Sequence, residues 1–208
     1  MVGVITEFTP PGFIYLNGIT SGPDGNLWFV GSNGIGRITP SGVITTYPYP
    51  GYSEAQRITS GPDGNLWFTE ANVNKIGRIT PSGAITEFAV PTSSLGPLMI
   101  ASGNDGNLWF TEPWANKIGR ITPAGAISEF GLNAGPNFIS AGPDGALWFS
   151  EPYESKIGRI TTSGVVTEIP TSSLIYDLGE VTDGPDGNMW FPEYNGNKIG
   201  KISLSGCE

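Results

Sequence analysis

Ser60-Gly61-Pro62-Asp63-Gly64-Asn65-Leu66-Trp67-Phe68 decides the reading of this chain, because the phrase returns along its whole length. It stands again as SGPDGNLWF at 21–29, SGNDGNLWF at 102–110, AGPDGALWF at 141–149 and DGPDGNMWF at 183–191. The aspartates, Asp24, Asp63, Asp105, Asp144 and Asp186, are spaced by 39, 42, 39 and 42 residues. That beat matches the roughly 40–45 residues of a four-stranded propeller blade. Within the phrase, proline presets φ, aspartate bonds nearby backbone and the following glycine takes a positive φ, so the strands on either side are expected to pair as a hairpin.

Working outward, each unit reads as four short strands. An apolar segment ending in Ile-Thr precedes the turn, and Asn65-Leu66-Trp67-Phe68-Thr69 follows it. Lys75-Ile76-Gly77-Arg78-Ile79 makes a third strand, Pro81-Ser82-Gly83 a turn, and Ala84-Ile85-Thr86-Glu87-Phe88 a fourth. Trp28, Trp67, Trp109, Trp148 and Trp190 hold one strand position, where a ring wedged between sheets buries about 150–250 Å². At about 25 cal/mol per Å² each contributes a gross 4–6 kcal/mol before entropy.

The chain begins with Gly3-Val4-Ile5-Thr6-Glu7-Phe8, which has the pattern of a fourth strand, and ends after a third strand at 198–202. The expectation is therefore an all-β, five-bladed propeller of four-stranded antiparallel blades, residues 1–208 as a single domain, with the N-terminal strand completing the last blade. A piece of a larger ring or an assembled repeat array would show matching ends as well.

Composition narrows the functions. The 208 residues are 38% hydrophobic and carry 31 Gly and 18 Pro, enough chain for a core but punctuated against long helices. A net charge of −9 opposes binding to nucleic acid phosphates or acidic membranes. No apolar run is long enough to span a bilayer, and the compartment, cytoplasmic or exported, stays open. One cysteine, Cys207, allows no intrachain disulfide. Histidine is absent, which removes the commonest general base and zinc ligand.

The phrases GPDGNLWFTE at 61–70, NKIGRITPSG at 74–83 and ITEF at 85–88 are similar to the repeat of the streptogramin B lyase (virginiamycin B lyase) family. The resemblance implies a propeller whose first strands are innermost. It also implies that the loops before the first strands and between the second and third share the face that binds ligands. Members of that family usually have seven blades and open a cyclic depsipeptide ester by elimination, with a histidine base and a glutamate-held magnesium ion. Five units and no histidine depart from that pattern, so the enzyme is not expected here.

Repeated charges have structural readings. Nine of ten cations lie in the KIGR element, where they solvate strands or bridge blades; Arg57 is the exception. Glu70, Glu112, Glu151 and Glu193 follow the second strands, on the expected ligand face, where they would either attract Mg²⁺ or Ca²⁺ or simply pair with neighbouring cations. The divergent loops carry Tyr15, Tyr52, Tyr176 and Asp177, together with Trp114, Tyr153 and Tyr194, rings suited to a sugar or small amphipathic molecule or to covering the loop bases. Arg57 and Glu180, at equivalent innermost positions, are candidates to pair across the tunnel. The leading expectation is a noncatalytic, monomeric binding module or scaffold for a small molecule, glycan or peptide. A metal-assisted lyase-like enzyme and an amplified or engineered repeat scaffold without a ligand are the alternatives.

Overall fold

The computed structural model describes residues 3–49, 54–92, 95–172 and 177–204. Five antiparallel sheets follow one another in chain order. The first contains β1 (Leu16–Ser21), β2 (Leu27–Gly31), β3 (Gly34–Ile38) and β4 (Ile44–Pro48). The second contains β5 (Ala55–Ser60), β6 (Leu66–Glu70), β7 (Lys75–Ile79) and β8 (Ile85–Ala89), and the third β9 (Ile100–Ser102), β10 (Leu108–Glu112), β11 (Lys117–Ile121) and β12 (Ile127–Gly131). The fourth contains β13 (Ile139–Ala141), β14 (Leu147–Glu151), β15 (Lys156–Ile160) and β16 (Val166–Pro170). The fifth has three strands, β17 (Thr182–Asp183), β18 (Met189–Glu193) and β19 (Lys198–Ile202).

The turn phrase works as its residues dictate. In every unit the tryptophan Nε1 donates to the turn aspartate Oδ1 at 2.9–3.1 Å, tying the hairpin tip to the ring that leaves it. Glycines of the turn, such as Gly64 at φ 74°, occupy the left-handed region that closes it. Burial pushes these carboxyls up, but hydrogen bonds from the tryptophan and the following Asn or Ala residues outweigh it and hold Asp24, Asp63, Asp105 and Asp144 below the usual range.

Alternation along the strands divides each sheet into two apolar faces. Trp28, Val30 and Ile35 of the first sheet pack on Ala55, Ile58, Leu66, Phe68 and Ile79 of the second. The same pairing recurs from second to third, third to fourth and fourth to fifth sheets. Two further contacts lock neighbours together. Arg37, Arg78 and Arg120 lie over their own tryptophans and donate to backbone oxygens of the next sheet's turn, Pro81, Pro123 and Thr162, at 2.9–3.1 Å. Tyr47, Phe88 and Phe130, stacked on Trp28, Trp67 and Trp109, press against Gly83, Gly125 and Gly164 of the following sheet, where no Cβ would fit.

Among the described residues the expected closure is not seen. Residues 3–15 contain no strand, and among the described residues β19 pairs with β18 alone. Phe8 instead lies against Gly42 of the first sheet, as Tyr47 does against Gly83. The N-terminal segment thus stands where the outer strand of a preceding unit would stand. The physical reason is that the first and fifth sheets do not meet: Ile19 is 65% exposed and Ile199 74%, whereas their equivalents Ile58 and Ile157 are buried.

Candidate functional site

The innermost strands surround a cavity of about 360 Å³ bordered by Asn17, Gly18, Arg57, Met99, Phe138 and Glu180. At its wall between the first two units, the register of β1 shifts between Leu16 and Gly18, and that of β5 between Ala55 and Ile58. Such irregularities re-aim side chains. Here they gather a polar cluster. Glu54 Oε1 accepts from Asn17 Nδ2 at 3.1 Å and Gln56 Nε2 at 3.0 Å. The Glu54 carboxylate also raises the pKa of Tyr15. Arg57 Nη1 donates to the backbone oxygens of Asn17 and Gln56, both at 2.9 Å.

Arg57 and Glu180 both border the cavity, but among the described residues Arg57 forms no ion pair with Glu180; its guanidinium is turned to backbone oxygens. The sequence signalled Tyr15 and Arg57 but not Asn17, Glu54 or Gln56. Position relative to the repeat could have found them, since these residues vary where the strands are innermost.

The four glutamates after the second strands do not converge on the pore. Glu112 lies on the side of β10 that carries Leu108 and Phe110 toward the second sheet, and alternation gives Glu70, Glu151 and Glu193 the same side of their own strands. Glu70, Glu112 and Glu151 are fully buried and Glu193 is 7% exposed. Both oxygens of Glu112 and Glu151 are buried without a hydrogen-bond partner. Burial, assisted by Glu129 and opposed by Lys117, pushes Glu112 up to about 7. Burial, then Glu168, does the same for Glu151, also to about 7. Their neighbouring cations are engaged elsewhere: Lys117 pairs with Glu129 and Lys156 with Glu168, each at 2.8 Å.

In the fifth unit two carboxylates approach one another. Asp177 is buried and accepts the backbone N–H groups of Asn195 and Gly196. A Cβ on Gly196 would stand 2.9 Å from Asp177 Oδ2 and 3.1 Å from Glu193 Oε2, so both oxygens face one small space, and that Glu193 oxygen has no partner. Two carboxylates with an orphaned oxygen fit a hard cation in donor type. Among the described residues, no group of three or more Asp, Glu, His or Cys side chains could hold a metal.

Trp114, Tyr153 and Tyr194 are exposed at equivalent loop positions, Trp114 within a short 3₁₀ turn at Pro113–Ala115. Tyr15 is exposed as well, whereas Tyr52 and Tyr176 lie outside the described residues. Among the described residues, no helix is long and apolar enough to cross a membrane.

The sequence profile of the Virginiamycin B lyase family matches residues 4–207. A streptogramin B lyase structure is 40% identical, with a TM-score of 0.90, over 98% of this chain and 70% of that one. A virginiamycin B lyase from Staphylococcus aureus, solved with quinupristin as a catalytically inactive histidine-to-alanine variant, is 43% identical with a TM-score of 0.91, over 98% of this chain and 72% of that one. A putative gluconolactonase, 16% identical with a TM-score of 0.69 over 94% of this chain and 79% of its own, shares the fold. No curated protein matches the chain.

Proposed function

The chain belongs to the virginiamycin B lyase family, and from that premise we propose that it is a noncatalytic relative that binds a small amphipathic molecule, such as a cyclic peptide or glycan, at the loop ends around its central cavity. The observation that carries this reading is the cluster of Tyr15, Asn17, Glu54, Gln56 and Arg57 beside that cavity. Its two side-chain amides are tied to the carboxylate and its guanidinium to the backbone oxygens of Asn17 and Gln56, an arrangement suited to fixing the polar edge of a ligand. It lacks an imidazole to move a proton, and the sequence contains none. In the S. aureus relative, replacing one histidine gives a catalytically inactive protein that was solved with quinupristin. Exposed Trp114, Tyr153 and Tyr194 add apolar faces on the loops between second and third strands.

Calorimetric titration with quinupristin tests this. Binding that weakens about tenfold or more on Arg57→Ala, with the thermal midpoint unchanged, is the expected result. Absence of binding by quinupristin and by a panel of glycans and peptides overturns it.

A second reading, a metal-assisted enzyme, is favoured by the facing oxygens of Asp177 and Glu193. These two residues would hold a magnesium or calcium ion, which supplies positive charge to polarise a bound carbonyl. Glu112 and Glu151, held near 7, have the acidity of a general base, but each is buried between sheets. Mg²⁺-dependent ring opening of quinupristin that disappears in Asp177→Asn would favour this reading over the first.

A further inference from the structure

One position of the repeat sets the chemistry of the central cavity. Gly18, Arg57, Met99, Phe138 and Glu180 stand at that position in successive units, each just before an isoleucine or valine, and all five border the cavity of about 360 Å³. Around the wall the order is therefore an open place, a cation, two apolar side chains and an anion.

The two charges do not compensate one another. None of the ion pairs among the described residues includes Arg57 or Glu180, whereas cations of the repeat pair with acids of their own unit, as Lys117 does with Glu129. Arg57 directs one nitrogen, Nη1, to the backbone oxygens of Asn17 and Gln56, both at 2.9 Å. Those bonds fix the guanidinium and leave its charge whole, because a carbonyl is a dipole and not a counter-ion. A Cβ on Gly18 would stand 3.5 Å from Arg57 Cα, so glycine there leaves that side of the arginine uncovered. Glu180 is exposed and makes no hydrogen bond among the described residues. Charges lining a cavity with low-dielectric walls focus their field into it and draw in a ligand of opposite charge.

The ligand that complements this wall has an anionic end, an apolar middle and a cationic end. A single α-amino acid does not match, since both its charges sit on one carbon, whereas the units of Met99 and Phe138 stand between those of Arg57 and Glu180. An uncharged glycan would leave both charges bare. A linear peptide with free termini has the required order by construction. The volume is near the lower end of the ~300–1,000 Å³ of small-molecule sites, which suits two or three residues with an extended length of about 7–11 Å.

We propose that the cavity binds a linear peptide of two or three residues, with its terminal carboxylate on Arg57, its apolar side chains on Met99 and Phe138, and its terminal ammonium at Glu180. The N–H groups of Arg57 other than those on Nη1 supply the planar fork that takes a carboxylate. The proposal rests on the reading of this cavity as the binding site and names the class of ligand it takes.

Calorimetric titration at pH 6.5 with leucyl-phenylalanine and leucyl-alanyl-phenylalanine tests it, each as the free, the N-acetyl and the C-amide form. At that pH both termini of the free peptides are charged. Expected are binding of at least one free peptide and affinity at least tenfold lower for each capped form. In Arg57→Met the free and amidated peptides should bind alike, and in Glu180→Gln the free and acetylated ones. The comparison of free and capped forms on the unaltered chain decides the matter even where a variant fails to fold. Equal affinity of free and capped forms overturns the proposal, as does absence of binding by both free peptides, or equal binding by free leucine. Quinupristin titrated in parallel separates this proposal from the reading beneath it. If quinupristin binds and the peptides do not, the proposal alone fails; if neither binds, nor any glycan or peptide of the wider panel, both fail.

Discussion

Glu112→Gln and Glu151→Gln should stabilise the protein above neutral pH and leave it nearly unchanged in mild acid. Both carboxyls are buried with their oxygens unpartnered, and burial holds each near 7 instead of its ordinary 4.5. Between those values the native state keeps protons that the unfolded chain releases, so stability falls as pH rises. The contribution is fully present below about 4.5 and is lost as pH passes 7. Each pH unit in that window is worth about 1.4 kcal/mol, which bounds the effect at about 3 kcal/mol per residue. The expected gain is about 1–3 kcal/mol for each substitution. Urea unfolding followed by tryptophan fluorescence at pH 5 and pH 8, for each single variant and the pair, measures it. Gains at pH 8 that vanish at pH 5 are expected, nearly additive because the residues lie in different junctions. An equal gain at both pH values, or destabilisation at pH 8, would refute the reasoning by showing that the glutamates are ionised and satisfied.

Further expectations concern the repeat itself. Stability should also fall in acid, because Asp24, Asp63, Asp105 and Asp144 are held below their ordinary 3.8 by hydrogen bonds; their contribution is present above about 3.8 and lost as pH drops through the lowered values, as thermal melts between pH 2 and 5 would show. Asp105→Ala should cost about 1–3 kcal/mol by leaving the buried Trp109 Nε1 without its acceptor, whereas Asp186→Ala, beside a partly exposed Trp190, should cost less in the same urea assay. Gly83→Ala should destabilise by about 1–3 kcal/mol, since its φ of 95° and the Tyr47 ring both exclude a Cβ, and Tyr47→Ala in the same protein should recover only the steric part of that loss.

The sheets were legible because a single phrase contains its own turn, hydrogen-bond anchor and wedge: Pro-Asp-Gly closes the hairpin, and the aspartate that closes it also receives Trp Nε1. The cations of the KIGR element were legible for the same reason, and Arg37, Arg78 and Arg120 bridge adjacent sheets. Ring closure was not legible. The match of Val4-Ile5-Thr6-Glu7-Phe8 to an outer strand holds in the contact of Phe8 with Gly42, but curvature, which decides whether that strand can reach β19, is a property of how wedges pack and leaves no trace in strand pattern. The site was partly legible. Tyr15 and Arg57 stood out as departures from the repeat, whereas Glu54 owes its role to irregular pairing in β1 and β5 that brings Asn17 and Gln56 to it. The family resemblance put Glu112 and Glu151 at the expected ligand face; strand alternation turned them into the junctions between sheets.

The most direct measurement is the chemical fate of quinupristin held with stoichiometric protein and Mg²⁺, followed by liquid chromatography with tandem mass spectrometry because elimination leaves the mass unchanged. The account predicts a complex from which the cyclic peptide is recovered intact. Accumulation of the ring-opened isomer beyond the protein-free control would contradict it.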